Sequence, residues 1–170
     1  MKVSRLLFVW AILLTTKIFG QYEGTNIVNV GDQMPSFKIV LQNGEIINSS
    51  SFKGKVVLIN FFATWCGPCL RELPELEKKV WEKHKSNPKF KLLEIARDQS
   101  ESVIQPFKAK HKFDFPMYPD ISKIIYSLFA TQYIPRNYIV DETGKIVYSS
   151  VSYSPEEFDK MVSVLDNLLK

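Results

Sequence analysis

The sequence predicts a single α/β domain with a mixed central sheet, and three features of its 170 residues support this prediction. Apolar runs rich in β-branched and aromatic residues alternate with segments of helical spacing, the pattern of strand–helix–strand crossovers. Two turn signals, Asn43-Gly44 and Asp141-Glu142-Thr143-Gly144, indicate antiparallel hairpins. The 45% apolar composition suits one compact core in a chain of this length. We therefore expect an α/β sandwich whose sheet contains both parallel and antiparallel strands.

The first half of the chain supplies a hairpin, a buried strand and a helix. Strands are predicted at residues 37–41 and 45–48, on either side of the Asn-Gly turn. The continuous apolar run at 56–62 predicts a strand buried on both faces. Apolar residues then recur at helical spacing over 70–84, where Pro74 is expected to kink the helix.

The second half of the chain alternates strands with helices and ends in a helix whose first residues match a capping motif. The predicted elements are a strand at 90–96, a helix at 102–112, a strand at 115–118, a helix at 121–130, and strands at 137–140 and 145–151. The last helix opens with Ser154 as N-cap, Pro155 at its first position and Glu157 completing a capping box.

The first twenty residues predict a targeting segment. Lys2 and Arg5 precede an unbroken apolar run at 6–14, and Gly20 is a small residue suited to cleavage. The run is shorter than the about 20 residues that span a bilayer. We expect an exported protein, with retention of residues 6–14 as a membrane anchor as the alternative. The chain then divides into a signal peptide at 1–20, an irregular lead-in at 21–35 and one domain at 36–170.

The charge of the chain gives no reason to expect nucleic acid as a partner. Residues 1–20 hold three of the 22 basic residues and no acid, so 19 basic face 18 acidic residues after cleavage. No basic stripe interleaved with aromatic residues is present in the sequence. Nothing in the sequence demands more than a monomer.

The two cysteines, Cys66 and Cys69, predict redox chemistry. A disulfide between them closes a very small loop and stabilises a fold little. They follow a buried strand and open a helix, where unsatisfied N–H groups and the helix dipole favour a thiolate at Cys66. Three residues on, Cys69 can resolve a mixed disulfide. Zinc needs four ligands, and His84 and His111 lie too far apart to complete such a site, so we expect no metal.

The residues around this pair carry a family resemblance. Val56 to Cys69, VVLINFFATWCGPC, resembles the thioredoxin superfamily. The wider frame is similar to its exported TlpA/ResA-like branch, with an AhpC/TSA-redoxin-like start, through Gly31-Asp32, Pro35-Ser36-Phe37, Gly54-Lys55 and Glu72-Leu73-Pro74. Over about residues 28–170, the resemblance implies a thioredoxin fold: a three-layer α/β/α sandwich with an N-terminal β-hairpin extension.

The resemblance also implies a function. Members of this branch are thiol–disulfide oxidoreductases of the bacterial cell envelope or periplasm, with no cofactor beyond the redox-active disulfide. A membrane thiol electron donor usually keeps them reduced, disulfide-containing envelope proteins are their substrates, and some serve cytochrome c maturation.

Two polar residues near the cysteines are candidates for proton exchange. Glu72 stands where the TlpA/ResA-like branch carries a glutamate and shares a helix face with Cys69, so it can exchange a proton with that thiol. Its alternative role is that of an acid favouring the helix dipole. Asn60 replaces the buried acid of cytoplasmic thioredoxins and is either catalytic or a hydrogen-bonded polar residue at the end of a strand.

The substrate site is expected around the motif and a second loop. Pro135, about 70 residues after the cysteines, resembles the cis-proline of the superfamily, where the preceding residue, here Ile134, offers backbone hydrogen bonds. Trp65, Gly67 and Pro68 complete the predicted binding surface. Many relatives have a threonine where this chain has Arg136, a difference that bears on substrate preference.

The sequence favours a reductase among three functions. Gly67-Pro68 places no charge between the cysteines, the dipeptide of reducing thioredoxins. A peroxiredoxin-like thiol peroxidase would carry a proline and a threonine where Ile59 and Ala63 stand. A non-catalytic binding or chaperone module would not need both cysteines.

Overall fold

A computed structural model describes residues 24–170 of the chain. The predicted signal peptide at 1–20 lies outside the described residues. Among residues 24–170, no helix combines the length and apolar character that crossing a membrane requires.

The described chain folds as an α/β domain. Its strands are β1 (Lys38–Val40), β2 (Ile46–Asn48), β3 (Val56–Phe62), β4 (Phe90–Arg97), β5 (Met117–Asp120), β6 (Arg136–Val140) and β7 (Ile146–Val151). Its longer helices are α1 (Gly67–Leu76), α2 (Glu101–His111) and α3 (Pro155–Leu168). Short 3₁₀ turns cover Ser49–Phe52, Ile121–Lys123 and Tyr126–Leu128, and α1 continues into a π-helical turn, Glu77–Trp81, and an α turn, Glu82–His84.

The central sheet is mixed, as predicted. Its strand order is β5-β4-β3-β6-β7, with β3, β4 and β5 parallel and with β6 and β7 antiparallel to their neighbours. The hairpin β1–β2 forms a separate two-stranded sheet, the predicted N-terminal extension. The crossover from β3 to β4 runs through α1, so the start of α1 meets the carboxyl end of the central strand.

Strand β3 divides the core into two layers. All seven of its residues are buried. Leu58 and Phe62 face the core that also holds side chains from α1 and α3, whereas Val57, Ile59 and Phe61 face the opposite core. This alternation explains why the strand reads as a continuous apolar run.

The second core lies under the hairpin and the 3₁₀ turns. Phe61 is its centre, with ring centroids 5.3 Å from Tyr126, 5.2 Å from Phe129 and 6.2 Å from Tyr138. The described part of the lead-in, residues 24–35, forms no helix or strand beyond isolated bridges, and Val28 is buried in the same core. The domain boundary at residue 36 stays a prediction.

The predicted helix at 121–130 is wrong. This segment forms two separate 3₁₀ turns because Ser122 and Lys123 both have positive φ, 60° and 59°, which ends the first turn. The Asp120 carboxylate then accepts the backbone N–H groups of Ile125 (2.8 Å) and Tyr126 (2.9 Å). A side chain that caps the N–H groups of the next turn competes with a continuous helix.

Two further elements begin two or more residues away from their predicted start. Helix α1 begins at Gly67 rather than residue 70, because Cys66 itself is the N-cap. The strand predicted at 115–118 is β5 at Met117–Asp120, paired with the end of β4, while Phe115 before it is fully buried.

The cap of α3 is confirmed in part. Ser154 Oγ accepts the Glu157 N–H at 3.2 Å, and Pro155 starts the helix. The Glu157 carboxylate accepts the Tyr148 hydroxyl at 2.6 Å, a partner on β7 that the sequence does not indicate.

Candidate active site

The two cysteines form a disulfide at the start of α1. Their Cα atoms are 5.2 Å apart. Cys66 is the N-cap residue in extended conformation, and its Sγ accepts the Cys69 N–H at 3.3 Å. Cys66 keeps 5% of its surface exposed and Cys69 none. Of the two cysteines, only Cys66 is therefore open to an incoming group; its role as the attacking cysteine stays a prediction.

A second loop lies against Cys66. The peptide bond between Ile134 and Pro135 is cis, as predicted. The Ile134 carbonyl oxygen is 3.7 Å from Cys66 Sγ, so this loop and the disulfide form one site. A further hydrogen bond holds this loop, since the Tyr133 carbonyl accepts the Tyr126 hydroxyl at 2.7 Å.

The remaining predicted contact residues surround the disulfide. Trp65 is 66% exposed, Gly67 is exposed, and Pro68 and Ile134 are half-buried. These residues leave an open surface beside Cys66 on which an extended chain can lie. Their role in substrate binding stays a prediction.

One further side chain holds the segment between β3 and α1, and the sequence analysis did not identify it. Gln99, the second residue after β4, accepts the Thr64 N–H at 2.9 Å and donates to the Thr64 hydroxyl at 2.7 Å. These two bonds hold the residue before Trp65. No local pattern links positions 64 and 99, because the contact depends on the pairing of β3 with β4.

Glu72 lies in a buried polar cluster beneath the first turns of α1. Only 1% of its surface is exposed. Its Oε2 accepts Asn60 Nδ2 at 2.8 Å, and its Oε1 accepts Asn137 Nδ2 at 2.6 Å. Burial raises the pKa of Glu72 from 4.5 to about 7, against the hydrogen bonds from Asn137 and Asn60, which lower it. A carboxyl that titrates near neutral pH suits proton exchange.

The cluster contains two residues that were missed. Glu94, Asn60 and Asn137 are register partners in a row across β4, β3 and β6, and Asn60 also donates to Asn137 Oδ1 at 2.7 Å. The signal for Glu94 was a charge inside the apolar run of residues 90–96. Asn137 had none, because its place depends on strand register.

Arg136, the residue after the cis-proline, is 1% exposed. Its guanidinium donates to the Gln132 carbonyl (2.9 Å), to the Asn26 side chain and to Thr25. Within residues 24–170 it forms no salt bridge. The guanidinium therefore links the lead-in to the loop that carries Ile134.

The geometry agrees with comparisons to known proteins. Residues 29–169 match the Redoxin family. This chain belongs to the redoxin family. The redoxin is 27% identical over 164 residues to the thiol-disulfide oxidoreductase ResA of Bacillus cereus, covering 92% of this chain and 94% of the relative. It is 33% identical over 119 residues to the thioredoxin-like protein YneN of Bacillus subtilis, covering 70% of this chain and 69% of the relative.

The solved structures agree on the fold. A candidate protein disulfide isomerase from Bacteroides thetaiotaomicron superposes on this redoxin with a TM-score of 0.81 at 36% identity, covering 85% of this chain and 92% of that one. The fold is therefore that of thioredoxin, as predicted, and the chain is a ResA/TlpA-like thiol–disulfide oxidoreductase.

Proposed function

We propose that the protein is an exported net disulfide reductase of the cell envelope, in which Cys66 attacks and Cys69 resolves. The observation that carries this proposal is the Cys66–Cys69 disulfide at the N-terminus of α1, with only Cys66 exposed beside the Ile134 carbonyl. The exposed sulfur suits an intermolecular step, and the buried sulfur suits an intramolecular one.

The reaction balances as two thiol–disulfide exchanges. The Cys66 thiolate attacks one sulfur of a substrate disulfide, forming a mixed disulfide and releasing the other sulfur as a thiolate. The Cys69 thiolate then attacks Cys66 Sγ, which releases the second substrate thiolate and forms the Cys66–Cys69 disulfide. Two electrons pass to the substrate, whose thiolates take up two protons. A membrane dithiol returns the enzyme to the reduced form and is itself oxidised.

Glu72 is proposed to accept the proton of Cys69. It lies one helical turn after Cys69 and is buried beneath the same helix. Glu72→Gln is expected to slow the resolving step about 100-fold, the usual scale of general acid–base catalysis. The decay of a preformed mixed disulfide measures this step directly, and Glu75→Gln on the same helix is the matched control.

The reducing direction is supported by the charges near the pair. Gly67-Pro68 carries no charge, and Glu72, the buried acid one helical turn after Cys69, forms no ion pair with a cation among the described residues. A thiolate near an ionised carboxylate is disfavoured, and a less stable reduced form lowers the reduction potential.

The reduction potential tests this direction. Equilibration with glutathione or dithiothreitol buffers, followed by Trp65 fluorescence, is expected to give a value near that of thioredoxin, about −270 mV. Trp81→Phe should keep the signal and Trp65→Phe should remove it. A value near −120 mV, that of a strong oxidant, would contradict the proposal.

The other two functions predict different results in simple assays. A Cys66→Ser variant that keeps full activity on a client protein would favour a binding or chaperone module. Rapid consumption of hydrogen peroxide by the reduced protein would favour a peroxidase. We expect neither, and we expect Cys69→Ser to accumulate a mixed disulfide through Cys66.

Export is tested on the protein from its own cells. Mass spectrometry of the N-terminal peptide should show a chain that begins near Gln21 in the envelope fraction, as expected from the signal peptide. Retention of residues 6–14 in a membrane fraction would indicate an anchor instead.

A further inference from the structure

Glu94 is a buried carboxyl without a partner. It is fully buried in the middle of β4, and neither of its oxygens has a hydrogen-bond partner among residues 24–170. It also forms no salt bridge within that range. An ionised carboxylate in such surroundings is strongly disfavoured, so the neutral acid is the form that the fold accommodates. Burial, and secondarily the charge of Glu72, raise the pKa of Glu94 well above the ordinary range of a carboxyl.

Asn60 carries a buried oxygen that accepts no hydrogen bond from the described residues. Its Nδ2 group donates to Glu72 Oε2 and to Asn137 Oδ1, so both of its hydrogens are used. Its Oδ1 is buried and has no donor among the described residues. The opposite orientation of this amide would bring an oxygen against two acceptors, which is repulsive.

The two unpartnered groups belong to adjacent positions on one face of the sheet. Asn60 and Glu94 are Cα partners in the parallel pair of β3 and β4, and neighbouring strands lie about 4.8 Å apart. Their strand neighbours Leu58 and Leu92, two residues before each, both belong to the core on the α1 side. A protonated Glu94 therefore presents an O–H donor to the side of Asn60 that lacks one.

We propose that Glu94 is a positioning residue, whose neutral carboxyl donates a hydrogen bond to Asn60 Oδ1 and so holds the Asn60 amide toward Glu72. Glu94 keeps its proton throughout the reaction and touches no reacting atom. Its effect on turnover rests on the proton exchange proposed for Glu72, whereas its effect on the Glu72 carboxyl does not.

The ionisable groups around the cluster are few. The charge of Glu72 acts on Glu94 in β4, on Tyr148 in β7 and on Tyr153 before α3. Burial raises the pKa of both tyrosines, so they stay neutral near pH 7. A change in the titration of Glu72 after substitution of Glu94 therefore reports on the hydrogen-bond chain.

The experiment compares Glu94→Gln with Glu94→Leu in the full-length protein. Gln keeps an N–H donor for Asn60 Oδ1, whereas Leu fills a similar volume and keeps none. The ¹³C NMR titration of the Glu72 carboxyl, assigned with Glu72→Gln, should be nearly unchanged in Glu94→Gln. In Glu94→Leu its midpoint should rise by about one pH unit, because the carboxylate loses an oriented donor.

A double-mutant cycle tests the route through Asn60. If Glu94 acts through this amide, Glu94→Leu should not shift the Glu72 titration further in an Asn60→Ala background. Circular dichroism first shows that each variant is folded. A variant that fails to fold is replaced by Glu94→Met, which also lacks a donor.

Three results would overturn the proposal. One is an equal shift of the Glu72 titration in Glu94→Gln and Glu94→Leu, which would mean that Glu94 acts through the charge of its carboxyl and not through a donated hydrogen bond. Another is no shift in either, and the third is an unreduced shift in the Asn60→Ala background. If turnover proves independent of Glu72 while the titration moves as expected, the proton exchange proposed for Glu72 fails and the positioning by Glu94 stands.

Discussion

Substituting Glu72 by Gln should change how the stability of the oxidised protein depends on pH. The folded protein holds this carboxyl with a pKa of about 7, against 4.5 for the exposed group. Between these values the folded state binds a proton that the unfolded state has released, so stability falls as pH rises. Below about pH 4.5 both states are protonated, and above about pH 7 the loss is complete.

The size of the effect follows from the two pKa values. For a single group with these values, the free energy of unfolding falls by about 2.5 kcal/mol between pH 5 and pH 8. Glu72→Gln removes this group and with it that part of the slope. The variant also changes the hydrogen bonds with Asn60 and Asn137, but that change is an offset that does not depend on pH.

Urea denaturation of the oxidised protein at several pH values measures the slope. The difference between wild type and Glu72→Gln should change by about 2.5 kcal/mol from pH 5 to pH 8. Glu75→Gln, three residues on and half-buried in an ion pair with Lys79, should leave the slope unaltered. Parallel curves for wild type and Glu72→Gln would refute the claim that burial holds a proton on this carboxyl.

Three further substitutions test the supports of the site. Arg136→Met should lower the free energy of unfolding in urea by about 2 kcal/mol, because the Gln132 carbonyl loses its donor. The same variant should raise the KM for a protein disulfide more than it lowers kcat, and an unchanged KM would contradict this. Asp120→Ala should cost about 2 kcal/mol of unfolding free energy, because two backbone N–H groups lose their acceptor; Asp120→Asn, which keeps one acceptor, should cost less. Phe61→Ala should cost about 3–5 kcal/mol by the same measurement, because a fully buried ring packs against three others; a loss below 1 kcal/mol would mean that the core refills the space.

The sequence predicted those parts of the fold that are encoded locally. Strand β3 was predicted at its observed bounds, because a strand buried on both faces has an uninterrupted run of apolar residues in the sequence. The helix at 121–130 was mispredicted, because the Asp120 carboxylate and two residues of positive φ override its apolar spacing. Capping by a side chain outside the segment leaves no periodic signal.

The residues of the candidate site also fall into two groups, those predicted from local sequence and those that depend on the packed sheet. Cys66, Cys69 and Glu72 belong to one short stretch, so their spacing on the helix predicted their proximity. Glu94 and Asn137 reach the cluster from β4 and β6, and their places depend on the register of three strands. Register is set by the packed sheet as a whole, which one sequence does not display.

The guanidinium of Arg136 has a consequence for the minimal catalytic unit. Its partners Thr25 and Asn26 precede every strand of the described chain, yet it also holds the carbonyl of Gln132, two residues before Ile134. A truncated protein that starts after Asn26 would keep all seven strands and both cysteines. It would nevertheless leave a desolvated positive charge two residues after Ile134 without these two partners, so the shortest fully active version must begin at or before Thr25.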